Sequence, residues 1–285
     1  MPYGFIKHLK NKGYSEATIN SYEKVLNQFF AYIRENYPLN KEPFQISPTD
    51  IKNYLEEQRE KEKTLGTVNK ELAILKTLFN YLWEIDKVPL DPAAKIKRYN
   101  VKELPKVEVD YKDILVILEK VLSNPDYSKI RKAIFLLAVK GLKTSDFRFR
   151  KQDVIDSLED GLVIINLHNR NIVLESEAST WFFDYYYESL FNNSEYVFTT
   201  KPHGSEEGPI QVMSILNHLR AISQDYLPKD KSPLTLVSIR RSIAYDLYSN
   251  NTSLQDIAKV LGIEESSASN YLKQITEGFP IENST

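Results

Sequence analysis

The sequence predicts a two-domain protein of the α+β class, mostly α with a small β-sheet. Apolar residues recur at three- and four-residue spacing through most of the chain, which is the period of an amphipathic helix. A proline-rich basic stretch interrupts that pattern once, and a single pair of β-branched runs brackets the polar turn LHNRN. The length of 285 residues suits two domains. The expected division is a helical domain over residues 1–86, a linker over 87–109 and a mixed domain over 110–285.

Taken in order, GYSEATINSYEKVLNQFFAYI opens with Ser15 as N-cap and continues as an apolar stripe of Ile19, Tyr22, Leu26, Phe29, Phe30 and Ile33. ISPTDIKNYLEEQREK predicts a second helix, with Ser47 as N-cap, Pro48 where its missing N–H costs nothing, and Asp50 completing a capping box. TLGTVNKELAILKTLFNYLWEID supplies a third. Pro89, Pro92 and Pro105 then forbid a continuous helix. Beyond them DYKDILVILEKVL, KIRKAIFLLAVKG, SEASTWFFDYYYESLF, IQVMSILNHLRAISQDYL and LTLVSIRRSIAYDLYSN read as helices. GLVIINLHNRNIVLE reads as two strands, and YVFT as a short extended piece. IAKVLGIEESSASNYL reads as a helix-turn-helix, with Ala258 at the crossing, Gly262 at the turn and Ser253 with Asp256 as a capping box ahead of it. The aromatics Trp181, Phe182, Phe183, Tyr185, Tyr186 and Tyr187 are expected in the core or at an interface rather than as a base-stacking platform.

Composition narrows the function classes. Charged residues are 27% and hydrophobic ones 42%, ordinary for a globular protein. Cysteine is absent, so thiolate catalysis and cysteine-ligated metals are excluded, and the four histidines are too scattered for a helical ligand pair. No metal and no cofactor are expected. The longest apolar run, Ala133 to Val139, is far short of the roughly 20 residues that span a bilayer, and no apolar signal core opens the chain, so a soluble cytoplasmic protein is expected. The net charge of −2 does not itself point to nucleic acid, but its distribution is uneven. There are 18 basic against 15 acidic side chains up to Val109, and 19 against 24 after it.

Several segments, in order, resemble the tyrosine recombinases, the phage integrase family. GYSEATINSY and TLGTVNKELAILKTLFNYLWE are similar to that family's core-binding domain, and LPKVEVDYKDILVILE to the entry of its catalytic domain. LLAVKGLKTSDF is similar to the box of the first catalytic arginine, and NRNIVLE to the strand after the catalytic-lysine turn. LTLVSIRRSIAYDL resembles the second-arginine box, and IAKVLGIEESSASNYL the stretch ending in the nucleophile. The resemblance implies a SAM-like helical core-binding domain followed by a tyrosine-recombinase-like catalytic-type domain. It further implies chemistry in which a tyrosine attacks a DNA phosphate, two arginines hold its oxygens and a lysine protonates the leaving 5′ oxygen.

Matched position by position, that set is altered. Lys143 stands where the first arginine is implied, and a lysine lacks the bidentate fork of a guanidinium. The lysine turn holds His168 and Arg170 but no lysine; Val237 stands for a histidine; Ile263 stands for a histidine or tryptophan. Arg240 is present, followed by Arg241, and Tyr271 sits one residue early, a turn of about 100° on a helix. The expectation from this census is a non-enzymatic, sequence-specific binder of double-stranded DNA, a repressor of phage or mobile-element origin acting at an operator-like site, with self-association on DNA allowed. Its expected DNA contacts are Thr67, Asn69, Lys70, Lys143, Arg170, Arg240 and Arg241. The alternatives are a divergent but active recombinase, in which Tyr271 attacks while Arg170, Lys143 and Arg240 rebuild the site, and an accessory protein to such an enzyme.

Overall fold

Side-chain caps start the helices where the sequence places them. In the computed structural model, which describes residues 2–37, 41–100, 107, 109–157, 161–201 and 207–276, Ser15 accepts from the Thr18 backbone N–H at 3.3 Å to open α2 (Glu16–Asn36). Ser47 and Asp50 exchange both bonds of a capping box at the start of α3 (Pro48–Glu60), and Thr64 caps α4 (Leu65–Glu84). A short α1 (Phe5–Asn11), not expected from the sequence, precedes them. It has too few residues to show a helical period, and Phe5 and Leu9 hold it by burial. Contacts divide the chain into two compact units, Met1–Glu103 and Leu104–Thr285.

The first unit packs these helices around Leu26, Phe29, Tyr54, Leu75 and Phe79. The Phe29 ring stands edge-on to Tyr54 and Phe79 at 5.1 and 6.3 Å, a geometry contributing about 0.5–1.5 kcal/mol per pair beyond area burial. The expected linker over 87–109 needs correction at its start. Val88, Ala93 and Ile96 are buried in this core, because alternating small and apolar side chains let an irregular segment lie on a helix surface that would otherwise be wet. Residues 101–106 and 108 of that stretch lie outside the described residues.

The second unit runs α5 (Tyr111–Ser123), α6 (Lys129–Val139), β1 (Val154–Ser157), β2 (Leu162–Asn166), β3 (Asn171–Glu175), α7 (Glu177–Leu190), β4 (Thr199–Thr200), β5 (Gly208–Pro209), α8 (Val212–Tyr226), α9 (Leu236–Ser249), α10 (Leu254–Leu261) and α11 (Glu265–Thr276). Helix α6 is apolar all round because α5, α7, α8 and α9 surround it. The expected hairpin is present as β2 and β3, with Ile165 opposite Ile172. Strand β1 adds antiparallel to β2, giving the order β1-β2-β3. It escaped notice because VIDS is short and has no clear alternation, with only Val154 and Ser157 half-buried. On α7, Phe182, Phe183, Tyr185 and Tyr186 are buried, as expected of a core stripe. At α10, Ser253 caps the Asp256 N–H at 3.1 Å, while the expected return bond runs between the Ser253 hydroxyl and the Asp256 carboxylate. Among the described residues, no helix is long and apolar enough to cross a membrane.

The α3 cap makes a test of the first unit. Burial alone would raise the Asp50 carboxyl, but hydrogen bonds from the Lys41 ammonium, the Ser47 N–H and the Tyr37 and Ser47 hydroxyls outweigh it and hold the group at about 2. A folded value below the ordinary 3.8 means stabilisation that is complete above pH 4 and lost as pH falls toward 2. Asp50→Asn is expected to lower unfolding free energy by about 2 kcal/mol at pH 7, with about half of that difference gone at pH 3, measured by urea titration.

Candidate active site

Helix α6 ends at Val139, and the chain turns back through Gly141 in the left-handed region (φ 80°), where a side chain is strained. That turn leaves the Gly141 carbonyl pointing at two guanidinium groups. Arg170 Nη2 donates to it at 2.8 Å, and Arg240 Nη1 donates to the same oxygen. Arg240 Nη2 also donates to the Leu261 carbonyl at 2.9 Å, tying the end of α10 to α9. Arg170 comes from the turn between β2 and β3, which the Leu167 N–H closes onto the Arg170 carbonyl at 2.9 Å. Three chain segments that are remote in sequence therefore meet at one oxygen, and Arg240 joins a fourth through the Leu261 carbonyl.

Gly262, at the αL C-cap of α10 (φ 62°), is what lets Arg170 lie there. A Cβ on Gly262 would come within 2.9 Å of Arg170 Cδ and 3.0 Å of its Nε. The Arg170 Nε is buried and, among the described residues, has no hydrogen-bond partner. Burial, and secondarily the Arg240 charge, pushes the Arg170 guanidinium down to about 10. Burial also lowers Arg240. Among the described residues neither arginine has a carboxylate at ion-pair distance, though Asp146 is close enough to favour both charges. Two like charges held together without a counter-ion form a site that favours an anion.

The cleft in front of them is lined by Lys143, Asp146, Arg148, His168, Arg170 and Gly262. Asp146 accepts from the Lys143 N–H at 3.1 Å and lies 4.0 Å from its ammonium, so Lys143 is steered while its head stays partly in solvent. Tyr271, on α11, is half-buried and donates its hydroxyl to the Val237 carbonyl at 3.4 Å. Burial raises the phenol, while Arg240 and Arg241 pull it the other way, which places Tyr271 in the field of these two α9 arginines. Val237 contributes this backbone oxygen while its side chain is exposed; Ile263 packs half-buried against the core. Gly141, Asp146 and Gly262 were missed by the residue census. The glycines carried a signal as turn residues closing α6 and α10.

The first unit places its expected contacts differently. Lys70 and Thr67 are exposed near the start of α4, with the Thr67 hydroxyl 3.0 Å from that of Thr64. Asn69 is not free: its amide donates to the Tyr99 carbonyl at 2.9 Å and accepts from the Tyr99 N–H at 2.8 Å.

Comparison with known proteins agrees with this architecture. Residues 3–84 match the phage integrase, N-terminal SAM-like domain. The tyrosine recombinase XerD of Listeria innocua is 24% identical over 282 residues, covering 93% of this chain and 90% of the relative. A lambda integrase dimer bound to a COC′ core site superposes with a TM-score of 0.68 at 16% identity, over 99% of this chain and 97% of the other. The XerH site-specific recombinase bound to palindromic difH substrate, a post-cleavage complex, gives 0.68 at 15% identity, over 92% and 77%. Along nearly its whole length the chain is thus similar to tyrosine recombinases, and its N-terminal residues match the phage integrase SAM-like domain. The expectation of a non-enzymatic protein is overturned by these relatives, which are DNA recombinases along nearly the whole chain. It rested on matching single positions, and a position-by-position census does not register a side chain that reaches the same place from another segment, as Arg170 does beside Arg240.

The packing of Gly262 on Arg170 is testable within one unit. Gly262→Ala is expected to lower the stability of the second unit by about 2 kcal/mol or more, from αL strain and displacement of Arg170. Gly161→Ala, at φ 61° but with nothing within 4 Å of the added carbon, is expected to lose only about 1 kcal/mol. Urea unfolding monitored by fluorescence compares the two.

Proposed function

We propose that the protein is a divergent site-specific tyrosine recombinase that cleaves and rejoins double-stranded DNA. The observation that carries this reading is the pair of guanidiniums, Arg170 and Arg240, sharing the Gly141 carbonyl without a carboxylate at ion-pair distance among the described residues, with Tyr271 in the field of Arg240. The relatives' names and the DNA-bound neighbours support it. They favour it over the repressor expected from the census, as does the convergence of cations at the cleft.

In this reading Arg240 and Arg170 bind the non-bridging oxygens of the scissile phosphate, where negative charge builds during attack. The Tyr271 hydroxyl oxygen bonds to phosphorus, its phenol proton passing to solvent water, and the bond from phosphorus to the 5′ oxygen breaks. Lys143 supplies the proton to that oxygen: its ammonium head stays partly in solvent, from which it is reprotonated, whereas the Arg170 guanidinium is bonded to the Gly141 carbonyl. A phosphodiester is exchanged for a phosphotyrosine and a free 5′ hydroxyl, so no external energy source is required and the reverse step reseals the strand. Lys143 and Arg170 thus supply one ammonium and one guanidinium from positions where the family resemblance implies the opposite pair. Arg241, beside Arg240 on α9, contacts the neighbouring backbone.

The test uses nicked duplexes spanning the sequences around the protein's own gene, analysed on native and denaturing gels from one incubation. A covalent protein–DNA adduct is expected from the wild type and none from Tyr271→Phe, with the native shift retained within about threefold. An adduct that survives Tyr271→Phe places the nucleophile elsewhere; a specific shift with no adduct from the wild type overturns the enzymatic reading.

A further inference from the structure

A cavity lies at the start of α6, about 16 Å along the helix from the end that carries the Gly141 turn. It holds about 420 Å³ between α6 and α7, a volume within the range of small-molecule sites, and Tyr127, Lys132, Trp181, Asp184 and Glu188 are among the side chains that line it. Lys132 is only 8% exposed. Side chains on a helix lean toward its N-terminus, so this ammonium reaches back over the first turn of α6, where it lies 4.6 Å from the centre of the Trp181 ring. Among the described residues it has neither a hydrogen bond nor an ion pair, whereas a lysine buried to this degree is ordinarily paired. Ser128, the N-cap of α6, accepts nothing from the turn it opens, so the helix start lacks a side-chain cap. The wall beside it is held in place: the Tyr127 hydroxyl donates to Asp225 on α8, and Arg131 lies over the Tyr127 ring at 4.5 Å. The two sides of the cavity differ in sign. Lys129 and Lys132 stand on the α6 side and Asp184 and Glu188 on the α7 side, and among the described residues none of the four forms an ion pair.

We propose that this cavity binds a small zwitterion, with a carboxylate and an ammonium on one short carbon frame as in a free α-amino acid. The guest's carboxylate meets the Lys132 ammonium and the first N–H groups of α6, where the helix dipole also favours an anion. Its ammonium meets Asp184 and Glu188, and its carbon frame lies against Trp181 and Tyr127. A simple anion would face the two carboxylates and a simple cation would face Lys132, so a molecule carrying both signs is the one that neither wall repels. Lys132 carries most of the attraction, because its charge is withdrawn from water while those of the exposed rim are screened. None of these residues lines the cleft of Arg170, and the assignment is independent of the recombinase reading.

Tryptophan occurs twice in the chain, so Trp83→Phe, at an exposed position of the first unit, leaves Trp181 as the sole indole reporter. The full chain carrying that substitution is titrated with each of the protein amino acids in turn, at constant ionic strength, while Trp181 emission is followed. At least one of them is expected to give a saturable change. Propionate and propylammonium, which each bear one of the two charges, are expected to bind at least about tenfold more weakly. Lys132→Met, which keeps the length of the side chain, is expected to weaken binding about 10- to 100-fold. D184N/E188Q, at exposed positions that leave the core untouched, is expected to weaken it about two- to tenfold. No saturable change with any amino acid overturns the proposal, and so does unchanged affinity in either variant. Propionate binding as tightly as the amino acids also overturns it, by reducing the site to one for a simple anion.

Discussion

The carbonyl oxygen of Gly141 is the point on which the second unit's site depends. One acceptor takes hydrogen bonds from Arg170 and Arg240, and the second guanidinium branch of Arg240 reaches the Leu261 carbonyl. The end of α6, the turn of the hairpin, α9 and the α10 cap are thereby fixed to one another through charged donors. Such bonds are worth roughly twice a neutral one and are costly to break when buried. The glycine is required because the turn that aims the oxygen needs a left-handed backbone.

That arrangement sacrifices stability for chemistry. Two guanidiniums are withdrawn from water next to each other, and one donor, Arg170 Nε, is left without a partner at a cost of about 1–3 kcal/mol. Asp146 favours both charges from a distance while it accepts from the Lys143 N–H and lies 4.0 Å from its ammonium. The deficit of negative charge is what a phosphate would supply on binding.

Much of the fold was legible because its determinants are local. Ser15, Ser47 and Ser253 cap the helices they were expected to open, and LHNRN turns the hairpin. The course of the chain after α4 was not legible: α4 ends at Glu84, ahead of Pro89 and Pro92, prolines say nothing about where the chain goes next, and only burial of Val88, Ala93 and Ile96 shows that it stays on the first unit. The candidate site was readable as residues and misleading as a set. Lys143, Arg170, Arg240 and Tyr271 were identified, yet judging each against a fixed position suggested lost chemistry. Which groups converge is decided by the Gly141 turn and the space left by Gly262, and neither can be read from spacing along the chain.

The central claim is that Arg170 serves the reacting phosphate beside Arg240. Its most direct test is the single-turnover rate of adduct formation on a nicked duplex by Arg170→Lys, with folding checked by circular dichroism. Loss of a preorganised guanidinium predicts a fall of at least about 100-fold in that rate with duplex affinity held within a few-fold. A rate equal to that of the wild type would contradict the account.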